Sequence, residues 1–122
     1  GQDPHDVRAG TRTAILQFLA ANLGDPSLSV TTVCRSFAIS PRLLHRLFEE
    51  EDRTFADTVR SMRLERCARV LTDPRETATI TEIAARHGYT DPASFSRAFR
   101  RRFGISPTEM REQRLGYEAV PR

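Results

Sequence analysis

The chain has 122 residues, 39% hydrophobic and 29% charged, with a mean hydropathy of -0.48, which suits one domain or two very small ones. Seven Phe at regular apolar spacing argue against disorder, and no run approaches the ~18 apolar residues of a membrane span. Net charge is only +3, yet the pI is about 9.5 and all 19 basic residues are Arg.

Residues 1–9 are polar, contain Pro4 and lack periodicity, so they read as a linker remnant ahead of a domain body spanning 10–114. From about Arg12, the apolar positions Ile15, Leu16, Leu19 and Leu23 mark a first helical face, ended by Gly24, Asp25 and Pro26. Ser29 can cap a short helix carrying Val30, Val33, Cys34 and Phe37. After Ala38-Ile39, Ser40-Pro41 supplies an N-cap and a proline at the first helical position, opening a helix with Leu44, Leu47 and Phe48 on one side. The acidic run Glu49 to Asp52 reads as a solvated helix end and turn.

A long helix over about 55–72 should bury Phe55, Val59, Met62, Cys67, Val70 and Leu71, and Asp73-Pro74 stops it. Thr79 or Thr81 opens a short helix with Ile80, Ile83 and Ala84, closed at His87-Gly88. The next runs from Asp91-Pro92 to Arg102 and should bury Phe95, Ala98, Phe99 and Phe103. Ser106-Pro107 caps a last helix, and residues 115–122 form a tail of undecided structure. No segment alternates with period two. The expected fold is all-α, with about seven helices.

Two segments repeat. Val33-Cys34 followed by Ala38-Ile39 matches Ile83-Ala84 followed by Gly88-Tyr89 at an offset of 50, and Leu44 to Phe48 matches Phe95 to Phe99 at an offset of 51. Each copy is a short helix, a tight turn and a second helix, over about 29–50 and 79–102. A helix-turn-helix needs a small residue where its helices meet (Cys34, Ala84) and tolerance of positive φ in the turn (Gly88, less comfortably Ala38). A structural αα-hairpin meets many of the same demands, but two copies with basic outer faces favour DNA.

The charge follows the motifs. Residues 1–52 carry 5 Arg against 7 acids, whereas residues 53–122 carry 14 Arg against 9 acids. Arg42, His45 and Arg46 project from the start of the first recognition helix. Ala93, Ser94 and Arg97 occupy the corresponding places in the second, with Arg100 and Arg101 a turn later. These six N-terminal positions are the expected base contacts, because recognition helices enter the major groove by their first turns. Arg can grip two guanine acceptors, His or Ser can bond base or phosphate, and Ala can pack on a thymine methyl. Ser40, Arg100 and Arg101 are the expected phosphate contacts. Arg46 has Glu50 within i,i+4 reach, whereas Arg97 has only Arg101 there. The joining helix of about 17 residues, roughly 25 Å, should set both reading helices toward neighbouring grooves about 34 Å apart.

The stretch from Ile80-Thr-Glu-Ile83-Ala84 through Gly88-Tyr89-Thr-Asp91, Ser94-Phe95-Ser96-Arg97 and Phe99-Arg100-Arg101 to Ser106-Pro107 resembles the C-terminal signature of AraC/XylS-family transcription regulators. Ser40-Pro41, Leu44, Arg46, Phe48, Phe55 and Arg63 to Arg66 extend that resemblance more loosely into the first half. It implies two helix-turn-helix subdomains on a long helix, acting on double-stranded promoter DNA, often as an activator that contacts RNA polymerase. It also implies base contacts at Arg42, His45 and Arg46, and at Pro92, Ala93, Ser94 and Arg97. Pro92, however, offers neither an N–H nor a polar side chain.

The chain departs from the family at Cys34 and Cys67, where alanine is usual, and at Asp52, where a turn glycine is usual. The acidic run beside the first motif is also unusual, and its charge opposes phosphate contacts there. Family members often carry an effector-binding or dimerisation domain. A start at Gly1 without Met leads us to expect an excised C-terminal portion of a longer, cytoplasmic regulator.

Other classes fit less well. No glycine-rich phosphate loop or nucleophile arrangement points to an enzyme, and no cofactor is called for. Cys34 and Cys67 share no ligand spacing with His5, His45 or His87, so they read as core thiols and no metal is expected. The remaining alternative is a helical protein–protein interaction module, whose signature would be an exposed apolar stripe.

Overall fold

A computed structural model describes the backbone of residues 4–119 and the side chains of residues 6–113. The helices are α1 (Pro4–Ala21), α2 (Val30–Phe37), α3 (Pro41–Glu49), α4 (Phe55–Leu71), α5 (Ile80–Arg86), α6 (Pro92–Phe103) and α7 (Pro107–Ala119). No strand occurs among the described residues. The all-α, seven-helix expectation holds.

Local chemistry sets the boundaries. Ser29 and Thr32 form a reciprocal capping box on α2, as do Thr79 and Glu82 on α5. Ser40 accepts the Leu43 amide and Asp91 the Ala93 amide, each followed by proline at the helix start. Thr54 Oγ1 accepts the Asp57 amide at 3.0 Å, and Ser106 Oγ the Glu109 amide at 3.0 Å. Gly104, at φ 82°, ends α6. Asp52 takes the left-handed conformation, at φ 55°, at the turn where the resemblance leads one to expect glycine.

The chain divides into two compact units, Gly1–Arg60 and Ser61–Arg122. In the first, α3 packs against both α1 and α2. Its buried residues include Ile15, Leu19, Leu23, Val33, Leu44, Leu47 and Phe48. Edge-to-face pairs of Phe18 with Phe37 and of Phe48 with Phe55, each 5.6 Å between centroids, add to the burial.

The second unit centres on Leu64, Cys67, Leu71, Ile83, Ala84, Phe95 and Phe99. A ladder of rings, Tyr89–Phe95–Phe99–Phe103, runs along its α6 side with centroid spacings of 5.2, 5.7 and 4.6 Å. Each fully buried Phe contributes roughly 1.5–3 kcal/mol. Both cysteines are free and buried, as the reading as core thiols required, and burial pushes the Cys67 thiol up to about 12.

Three expectations change in detail. The polar segment read as a linker remnant is helical from Pro4, whose fixed φ suits a first helical position and which Asp6 follows in the first turn. Arg8 then secures that extension by pairing with Glu50 at 3.3 Å. Met62, Val70, Ala98 and Phe103 are half-buried rather than buried, while Leu64 takes the core position between the first two. The tail from Leu115 continues helical to Ala119, and residues 120–122 lie outside the described residues.

Candidate nucleic-acid interface

The two helix pairs are built alike. In α2–α3, the Ile39 amide bonds the Cys34 carbonyl at 3.1 Å and Ala38 is left-handed at φ 54°. In α5–α6, the Tyr89 amide bonds the Ala84 carbonyl at 3.0 Å and Gly88 has φ 87°. The 50-residue offset therefore corresponds to the same turn hydrogen bond made twice. His87 is buried beside the second turn, its Nδ1 2.7 Å from the Ile83 carbonyl.

On α3, burial of Leu44, Leu47 and Phe48 leaves Arg42, His45 and Arg46 exposed, as the spacing predicts. Ser40 is exposed too; its oxygen takes the Leu43 amide at 3.1 Å, leaving the hydroxyl proton available. Arg46 does not pair with Glu50. That carboxylate instead accepts Arg8 and Arg12, the latter at 3.1 Å, while Arg12 also reaches Glu51 at 3.0 Å and the Leu47 carbonyl at 3.2 Å. Half of the acidic run is thereby neutralised by α1. Local spacing gave no sign of Arg12, because its partners lie 35 to 39 positions away.

On α6, Phe95 and Phe99 are buried, Ala93, Arg97, Arg100 and Arg101 are exposed, and Ser94 is half-buried. Arg97 makes no direct ion pair among the described residues, but a hydroxyl ties it to an acid. Ser94 donates its hydroxyl proton to Asp91 Oδ2 at 2.7 Å and accepts Arg97 Nη2 at 3.3 Å, linking arginine to carboxylate through one oxygen. The Ser94 hydroxyl foremost, then the Ala93 amide, hold the Asp91 carboxyl below its ordinary range, and the Arg97 charge contributes.

Arg100 pairs with Glu109 at 3.1 Å, and Arg102 pairs with Glu65 at 2.7 Å while lying over the Phe103 ring. Arg101 makes no such contact among the described residues. No three His, Cys, Asp or Glu side chains among those residues could hold a metal ion. No described helix is long and apolar enough to cross a membrane.

Two helix pairs with the same turn, each exposing a polar face on its second helix, define a tandem helix-turn-helix protein. A family described as a helix-turn-helix domain matches residues 33–113. The chain is 31% identical over 110 residues to the transcriptional activator RhrA of Rhizobium meliloti (strain 1021), covering 90% of this chain and 34% of that protein. It is 38% identical over 101 residues to the HTH-type transcriptional regulator GlxA of the same organism, covering 82% and 30%. It thus spans about a third of the length of these curated relatives.

Its fold is similar to that of an AraC-type transcriptional regulator structure from Chromobacterium violaceum, with a TM-score of 0.80 and 26% identity, covering 93% of this chain and 96% of that one. The chain belongs to the AraC/XylS-type helix-turn-helix family of DNA-binding transcription regulators. That family is one of regulators rather than enzymes.

Proposed function

We propose that this chain reads a specific double-stranded promoter site by placing α3 and α6 in adjacent major grooves. The observation that carries this reading is the repeated turn with an exposed basic face after it: Arg42, His45 and Arg46 on one copy, Ala93 and Arg97 on the other. Arg42, Arg46 and Arg97 suit guanine edges, where a good bidentate contact is worth about 1–3 kcal/mol of discrimination. His45 can bond base or phosphate, Ser94 lies on the same α6 face beside Arg97, and Ala93 suits a thymine methyl. Ser40, Arg100 and Arg101 serve the phosphates, Arg100 by exchanging Glu109 for DNA.

The 17 residues of α4 match the length expected of a helix joining two such readers. The curated relatives are about three times this chain's length, which leaves room for an effector-binding domain elsewhere in the regulator. The activator RhrA makes RNA polymerase the partner to test. A promoter target implies a cytoplasmic location. The protein-interaction alternative requires an exposed apolar stripe, yet Val7 is the one large hydrophobic residue exposed among those described. Selection from random duplexes at two salt concentrations tests the reading. A defined site whose affinity falls steeply with salt supports it; unselective or salt-independent binding refutes it.

A further inference from the structure

Asp91, Ser94 and Arg97 occupy one face at the start of α6, three residues apart in each step. Asp91 Oδ1 accepts the Ala93 amide at 3.2 Å, so the carboxylate is already fixed as the helix cap. Its other oxygen takes the only proton of the Ser94 hydroxyl, at 2.7 Å. Ser94 then has lone pairs to offer, and Arg97 donates to them at 3.3 Å. Guanine N7, guanine O6 and phosphate oxygens are all acceptors, so Ser94 cannot serve them without releasing Asp91. Arg97 uses one N–H on Ser94 and keeps the rest of its fork for DNA.

We propose that Ser94 and Asp91 are positioning residues which hold the Arg97 guanidinium ready for a guanine edge, rather than base contacts in their own right. This rests on the DNA-binding reading above. A free arginine side chain samples many rotamers, and fixing it before binding removes part of the ordering cost from the encounter. The Asp91 carboxylate is anchored by the α6 amide, Ser94 by the carboxylate, and Arg97 by Ser94. The specificity of the second recognition helix is thereby set partly by its N-cap.

The test is equilibrium binding of the whole chain to its selected duplex and to every single-base-pair variant, using wild type, S94A, R97A, S94A/R97A and S94T. R97A should abolish preference at one base pair. S94A should lower preference at that same pair roughly three- to tenfold, the range expected for losing one ordering hydrogen bond, and leave other pairs unchanged. The double variant should match R97A, and S94T, which keeps the hydroxyl, should restore preference. In the free protein, the Arg97 side-chain NMR order parameter should fall in S94A while the amide spectrum stays folded.

If S94A alters a different base pair from R97A, or if the two losses add in the double variant, Ser94 is a direct contact and the inference fails while DNA reading stands. An unchanged Arg97 order parameter in S94A also overturns it. A wild-type chain with no base preference removes the DNA reading itself.

Discussion

Arg12, on the first helix, reaches across to Glu50 at the end of α3 and leaves Arg46 without its nearest acidic partner. The Arg12 side chain is only 15% exposed, and its three acceptors belong to the last turn and C-cap region of one recognition helix. A cation there also complements the negative end of the α3 dipole. Arg12 consequently ties α1 to α3 and neutralises acids whose field would otherwise oppose DNA phosphates.

Replacing Arg12 by alanine should destabilise the protein by about 1–2 kcal/mol in urea unfolding, since charge-assisted bonds from a mostly buried side chain are lost. A double-mutant cycle with E50A should return a coupling of about 0.5–1 kcal/mol, modest because Glu50 is partly solvated. Zero coupling would show that Arg12 acts through packing, Glu51 and the Leu47 carbonyl rather than through Glu50.

The two turns make opposite predictions. Gly88, at φ 87°, would place an added Cβ 3.4 Å from the Arg63 guanidinium, so G88A should cost about 1–2 kcal/mol from the left-handed backbone. Ala38 already sits in that conformation at φ 54°, and A38G should stabilise by about 0.5 kcal/mol once the entropy of glycine is subtracted. Thermal unfolding of both variants checks the signs.

Acid should weaken the second unit partly through Glu76. Its carboxylate accepts the Ala78 amide at 3.1 Å and pairs with Arg86 at 2.9 Å, holding it below its ordinary range. A carboxyl whose folded pKa is depressed stabilises above its unfolded value, about 4.3, and loses that contribution as pH falls through the folded one. The urea midpoint of wild type should therefore exceed that of E76Q at pH 7, and the gap should close on titration below about pH 4. A gap independent of pH would contradict the assignment.

Arg101 and Arg100 should differ in their effect on DNA affinity. Arg101 is exposed with no ion-pair partner among the described residues, whereas Arg100 must first leave Glu109. R101A should weaken binding to all sequences alike and reduce the salt slope by about one. R100A should do the same to a smaller extent, measured by fluorescence anisotropy across a salt series.

Much of this was legible in local chemistry. Caps at Ser29, Ser40 and Asp91 and prolines at 41 and 92 define helix starts because each acts within one turn of chain. The 50-residue offset exposes the repeat, and the structure resolves the choice of Thr79 over Thr81. Exposure of Arg42, His45, Arg46 and Arg97 followed from the buried spacing of Leu44, Leu47, Phe95 and Phe99. Long-range pairing was not legible. Arg12 with Glu50 and Arg102 with Glu65 join positions 38 and 37 apart, and nothing in either neighbourhood favours those partners over closer ones. The early start of α1 was missed for a related reason, since residues 4–9 lack an apolar stripe and Arg8 instead pairs with a distant acid.

The most direct measurement compares base preferences of R46A and R97A along one selected duplex. Two reading helices in successive grooves predict that each variant loses preference at its own base pair, the two lying about 10 base pairs apart. Loss at a single shared position, or an equal weakening at every position in both variants, would contradict it.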